Sequence, residues 1–158
     1  MTKLLILDTA SAQCWVALHN AGELLIERSA ESRRAAQQLL PMIDRLLTRA
    51  EIAAADLSAI AVINGPGSFT GMRIGVGIAQ GLAYACELPV VTLSSLLACA
   101  ASAAECEPYD CWLIAESARE EETYFGAYIR RPGGQFEALI ADRVLQGECS
   151  AVVSELLA

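Results

Sequence analysis

Over the first thirty residues, apolar and polar positions fall in short runs at strand spacing. KLLILD (3–8), CWVALH (14–19) and ELLIER (23–28) read as three strands, and Asn20-Ala21-Gly22 between the second and third is hairpin chemistry. The period then changes. Across 34–50 the apolar residues Leu39, Leu40, Ile43, Leu46, Leu47 and Ala50 recur three and four apart, which predicts a helix, with Pro41 tolerated near its start or kinking it. A strand at 59–63, a helix at 70–86, a strand at 89–93 and an alanine-rich helix at 94–105, opened by Ser94 and Ser95 as caps, complete the order β-β-β-α-β-α-β-α.

After Glu105-Cys106-Glu107-Pro108 the pattern restarts. Strands at 111–116 and 122–130, the turn Arg131-Pro132-Gly133-Gly134, a strand at 135–140 and a helix near 148–157 repeat the opening β-β-β-α. The chain ends before the α/β alternation returns. The sequence therefore predicts a domain boundary near residue 107, with an N-terminal domain over 1–107 and a partial second domain over 108–158. A doubled β-β-β-α-β-α-β unit is the ribonuclease-H-like arrangement of actin, sugar kinases and heat-shock chaperone ATPases, which bind ATP between the halves. The predicted fold is accordingly α/β, ribonuclease-H-like and actin-like, with its second copy incomplete; such a fold does not by itself give a function.

The densest local signal is GPGSFTGMRIGVGIAQGLA (65–83). Ala61, Val62 and Ile63 end a strand, Asn64-Gly65-Pro66-Gly67-Ser68 is turn chemistry, and a helical pattern follows. Gly75, Gly77 and Gly81 lie inside that helix, each costing about 1 kcal/mol relative to alanine, so close backbone contact is expected to offset them. Gly77, Gly81 and Ala85 form one small-residue stripe, and Met72, Val76, Ala79 and Ala83 form an apolar stripe beside it. A helix with both stripes is built to be covered on more than one side.

The same loop invites a phosphate reading, because a glycine-rich turn before a helix offers backbone N–H groups to an anion. Asp8, Gly65, Gly67 and Ser68 are the residues such a nucleotide site would use. The match to known loops is poor. Met72 and Arg73 stand where a Walker A loop needs lysine and a hydroxyl, and Gly71 misses the third glycine of the dinucleotide fingerprint by one position. A structural turn is the competing reading, in which Asp8 caps its neighbouring turn.

Composition narrows the classes. Hydrophobic residues make up 54% of 158, with mean hydropathy +0.40, and this surplus of apolar surface suggests a partner. No run approaches the roughly 18 apolar residues of a membrane span, and the N-terminal apolar run reads as a strand, which points to a cytoplasmic protein. A net charge of −8 argues against nucleic acid wrapping the whole surface. Six cysteines without a C-x-x-C pair read as reduced core thiols, with Cys14, Cys86, Cys99 and Cys111 in apolar patterns. His19 is the single histidine, so no metal site is expected.

The opening LLILDTA, the motif INGPGSFTGMRIGVGIAQGLA and the later SAREEETYFGAY (117–128) resemble the TsaB family, also called YeaZ. The resemblance implies a cytoplasmic, non-catalytic partner of TsaD, the synthase that transfers a threonylcarbamoyl group to adenosine 37 of ANN-decoding tRNAs. It also implies work alongside the ATPase TsaE, a homodimer when alone, only indirect contact with tRNA, and no cofactor. In that family the two helices matching 34–50 and 70–86 pair with those of TsaD or a second copy, which marks Leu39, Ile43, Leu46, Met72, Val76, Ala79 and Ala83 as interface candidates. TsaD-like relatives carry an H-x-x-x-H metal motif on the first helix. Here Arg33-Arg34-Ala35-Ala36-Gln37-Gln38-Leu39-Leu40-Pro41 holds no histidine, and Ala35 replaces the single one common in TsaB. Near 117 the family's Asp-Ala-Arg and glycine become Ser117-Ala118-Arg119 and Glu120-Glu121-Glu122, adding negative charge where a nucleotide would sit.

Two function classes stay open on these residues. One is an interaction subunit that supports a catalytic partner. The other is an ATP-binding phosphotransferase of the same superfold, using Asp8 and the loop at 65–68. A peptidase has no residues to offer: there is no metal pair, no Ser/His/Asp set and no thiol beside a base.

Overall fold

The computed structural model describes residues 2–29 and 35–156, and these fall into two compact units, Met1–Leu93 and Ser94–Ala158. Position 34, where the sequence starts its first helix, and position 157, where it ends its last, lie outside the described residues.

In the first unit β1 (Lys3–Asp8), β2 (Cys14–Asn20) and β3 (Glu23–Ser29) form an antiparallel meander. β4 (Ala59–Ile63) and β5 (Val90–Leu93) add in parallel beside β1, giving the strand order β3-β2-β1-β4-β5. Register then builds the core. Leu18, Leu5 and Ile60 pair across three strands, as do Val16, Leu7 and Val62, and all six side chains are fully buried. α1 (Ala35–Arg49) and α2 (Phe69–Cys86) contribute to the same cluster, α1 with Leu39, Met42, Ile43 and Leu46, α2 with Ala79 and Ala83. β4 is buried at four successive positions from Ile60 to Ile63, as a central parallel strand requires.

α2 is seated by its glycines. A Cβ on Gly71 would lie 1.8 Å from the Thr9 carbonyl oxygen, one on Gly75 would lie 2.3 Å from Thr9 Oγ1, and one on Gly67 would lie 2.6 Å from the Ala10 carbonyl oxygen. Thr9 is fully buried and donates its hydroxyl to the Gly71 carbonyl at 2.6 Å, while Ser68 N donates to the Ala10 carbonyl at 2.8 Å. The close contact expected of the helix glycines is therefore met at Gly75, and at Gly71 as well. It is not met at Gly77 or Gly81, where an added Cβ would find no atom within 4 Å. The helix rotates its first set of small residues onto the sheet and leaves the second set facing outward.

The second unit holds an antiparallel sheet, β6 (Cys111–Ser117), β7 (Glu122–Arg130) and β8 (Phe136–Gln146), with α3 (Ser95–Ala104) and α4 (Cys149–Leu156). β8 runs six residues beyond the predicted strand. Its pairing with β7 is irregular around Phe125–Tyr128, and Ala141, Asp142 and Arg143 interrupt the apolar alternation that would have marked it. The units divide at Leu93/Ser94, not near residue 107. α3 accounts for the difference: its buried Leu96 and Ala100 pack with Tyr128 of β7, and Arg130 donates to the Ala104 carbonyl at 3.1 Å. Ser94, which caps α3 through Leu97 N at 3.0 Å, also hydrogen-bonds the Tyr128 hydroxyl and donates to Asp142, to which Tyr128 donates too.

Two predictions follow from this packing. Gly77→Ala and Gly81→Ala are expected to raise stability by up to ~1 kcal/mol each, whereas Gly71→Ala and Gly75→Ala lower it by about 1–3 kcal/mol, as urea unfolding would measure. Burial, and then the bond to Asp142, push the Tyr128 phenol from 10.0 up to about 12. Its stabilising contribution is thus complete below pH 10 and is lost as pH rises through about 12. Phenolate absorbance should show one of the four tyrosines titrating late, and Tyr128→Phe should remove that late step.

Candidate functional site

The glycine loop and the end of β1 meet as the sequence suggested, and their polar groups are engaged with each other. Asp8 accepts from Ala10 N at 2.9 Å, Ser11 N at 3.2 Å and Ser11 Oγ at 2.6 Å. Ser68 caps α2 by accepting from Gly71 N at 3.2 Å. Gly67 (φ 152°) is pressed on the Ala10 carbonyl, and a Cβ on Gly65 (φ 94°) would meet the Met72 sulfur at 2.4 Å. The first turn of α2 thus faces the carbonyl oxygens of Thr9 and Ala10. Among the described residues no group of three or more His, Cys, Asp and Glu side chains is arranged to hold a metal ion.

Of the seven interface candidates, five are corrected. Leu39, Ile43, Leu46, Ala79 and Ala83 are buried in the core of the first unit, so none can touch a partner without opening that core. The helical period places them facing the sheet. Met72 and Val76 are half-buried and border a groove of about 370 Å³ on α2, together with Asn64 and Phe69. Arg73, Gly77 and Gln80 complete its lining.

Outward from that groove runs a stripe absent from the first list. Phe69 is 56% exposed, Arg73, Gly77, Gln80 and Gly81 are open, and Tyr84 at the far end is 91% exposed. These positions follow at three- and four-residue steps along one side of α2. Arg73 lies over the Phe69 ring, its guanidinium carbon 3.9 Å from the centroid. On α1 the large apolar side chain left open among the described residues is Leu40, 50% exposed, in place of its neighbour Leu39. The signal that could have found this phase is the row Gly71, Gly75, Ala79, Ala83, four apart, which is narrow enough to lie on a sheet.

The thiols also divide. Cys14 is fully buried, and burial, with Asp8 second, pushes it from 9.0 up to about 11. Cys99, Cys106 and Cys111 are exposed and Cys86 and Cys149 intermediate, so Cys99 and Cys111 are not core thiols as their apolar surroundings in sequence suggested. No disulfide links the described cysteines. No helix among the described residues is long and apolar enough to cross a membrane.

A five-stranded sheet of order β3-β2-β1-β4-β5 with helical crossovers, followed by a second run of β-β-β-α, is an actin-like, ribonuclease-H-like α/β arrangement. Comparison with known proteins narrows the class. The profile of the TsaD family, tRNA N6-adenosine threonylcarbamoyltransferase, matches residues 28–148. The Escherichia coli tRNA threonylcarbamoyladenosine biosynthesis protein TsaB is 38% identical over 92% of this chain and 63% of the relative. Its Haemophilus influenzae counterpart is 41% identical over 80% of this chain and 54% of the relative. YeaZ from Pseudomonas aeruginosa superposes with a TM-score of 0.85 at 38% identity, over 92% of this chain and 68% of that one. The chain belongs to the TsaB (YeaZ) family. It spans between half and two thirds of the length of these two curated relatives.

Thiol titration with a chromogenic disulfide reagent should show Cys99, Cys106 and Cys111 reacting at once. Cys14 should react only on unfolding, and its rapid reaction in the native protein would contradict the buried, raised thiol.

Proposed function

We propose that this chain is a non-catalytic scaffold subunit in the threonylcarbamoylation of adenosine 37 of ANN-decoding tRNAs. It docks on TsaD through the outer face of α2, helps recruit TsaE, and pairs with itself when TsaD is absent, in the cytoplasm. Its contact with tRNA is indirect. The names carried by the Escherichia coli and Haemophilus influenzae relatives support the pathway.

One observation carries the docking role. Gly77 and Gly81 cost about 1 kcal/mol each in a helix, and a Cβ added at either would meet no atom of the described residues within 4 Å, yet they lie between Phe69 and Tyr84, large apolar side chains held open to solvent. A bare helix backbone bordered by exposed rings is suited to a second helix packing close against it. The phosphotransferase alternative gains no comparable support. Asp8 already accepts three hydrogen bonds, Ser68 caps its own helix, and an anion at the start of α2 would meet the Thr9 and Ala10 carbonyls.

Gly77→Glu and Gly81→Glu place a charged side chain in open space, so the monomer should fold as before. Size exclusion with light scattering, for the chain alone and mixed with TsaD of the same organism, should show both assemblies lost in these variants and in Met72→Lys. Undiminished assembly would overturn the docking role, and saturable Mg-ATP binding lost in Asp8→Ala would favour the phosphotransferase.

A further inference from the structure

Three described arginines, Arg28, Arg73 and Arg143, lie over an aromatic ring, and Arg73 is the nearest to its ring, 3.9 Å from the centroid against 5.8 and 5.9 Å, and the one that lines the α2 groove. Arg45 and Arg49 pair with Glu27 at 2.8 and 3.5 Å, Arg131 pairs with Glu137 at 2.8 Å, and Arg130 reaches the Ala104 carbonyl. Arg73 has only its cation–π contact with Phe69 and, among the described residues, no carboxylate or carbonyl partner. The ring contact orders the side chain without giving any of its five N–H donors an acceptor. The guanidinium is held at the edge of a groove whose walls include Phe69, Met72 and Val76 and whose lining includes the open backbone of Gly77.

We propose that this groove selects a partner helix with an apolar side chain that enters beside Met72 and Val76 and a carboxylate, about one turn away, that Arg73 binds. The inference rests on the docking role of α2 and adds the chemistry of what docks. Three features favour this occupant. The walls are mainly apolar, which suits a leucine- or phenylalanine-sized group and lowers the local dielectric around a guanidinium–carboxylate pair. Gly77 carries no Cβ, so a partner backbone can approach where Arg73 can reach it. A net charge of −8 repels a polyanion such as the tRNA backbone but tolerates one carboxylate delivered on an apolar helix.

The test is titration calorimetry of the full chain against TsaD of the same organism, at about 0.05 M and about 0.5 M salt. Arg73→Gln and Arg73→Met should each weaken binding about tenfold or more at low salt, and Arg73→Glu further, with the differences shrinking at high salt. A charge-reversing substitution of one acidic residue on the docking helices of TsaD should restore affinity to Arg73→Glu. Gly81→Glu reports on the docking role alone. If Gly81→Glu abolishes binding while Arg73→Glu and Arg73→Met bind like the wild type, the carboxylate is wrong and the docking face stands. If Gly81→Glu also binds normally, the docking face itself is wrong. If Arg73→Gln leaves TsaD affinity unchanged but weakens tRNA binding by the assembled complex, the guanidinium serves a phosphate and the proposal is overturned.

Discussion

The contact between the first turns of α2 and the loop that ends β1 fixes most of what this molecule can present. Gly71 and Gly75 bring the helix so close to Thr9 that no side chain fits between them, and the Thr9 hydroxyl closes the contact on the Gly71 carbonyl. Packing at that distance leaves no freedom of rotation about the helix axis. Once Gly71 and Gly75 face the sheet, Ala79 and Ala83 must follow at four-residue steps, and Phe69, Arg73, Gly77, Gly81 and Tyr84 must turn outward. The same closeness engages Ser68 N with the Ala10 carbonyl and the Thr9 hydroxyl with the Gly71 carbonyl. Seating the helix thus decides which of its residues face outward.

The second unit is held by a different device. Ser94, Tyr128 and Asp142 form a hydrogen-bonded triangle that ties the start of α3 to β7 and β8, and Gly126 leaves room for it, since a Cβ there would meet both Asp142 and the Tyr128 hydroxyl at 2.9 Å. A buried tyrosine whose hydroxyl is satisfied twice is a fixed point for packing. It draws α3 into the second unit although the helix directly follows the last strand of the first sheet.

Much of the fold was legible because its elements are short, strongly patterned and punctuated. The three opening strands, the hairpin at Ala21-Gly22, the turn at 64–68 and the Ser94 cap carry local chemistry that tertiary packing did not override. The site was less legible for a specific reason. Helix phase is usually read by taking apolar as buried, and α2 is apolar or small on nearly every side. Ala79 and Ala83 were grouped with Met72 and Val76, although the first pair faces the sheet and the second borders the groove. What decides between the two small-residue rows is the position of the Thr9 carbonyl, a long-range contact that no window of sequence contains. The boundary near 107 failed similarly, because the partner that claims α3 lies more than thirty residues further along the chain.

The central claim is that the outer face of α2 is a contact surface, and hydroxyl-radical footprinting tests it most directly. Phe69, Met72 and Tyr84 are readily oxidised side chains on or beside that face, while Tyr109, 63% exposed, provides a reference in the second unit. With TsaD bound, oxidation of Phe69, Met72 and Tyr84 should fall several-fold relative to Tyr109. Equal oxidation of all three with and without TsaD, under conditions where the complex is formed, would contradict the account.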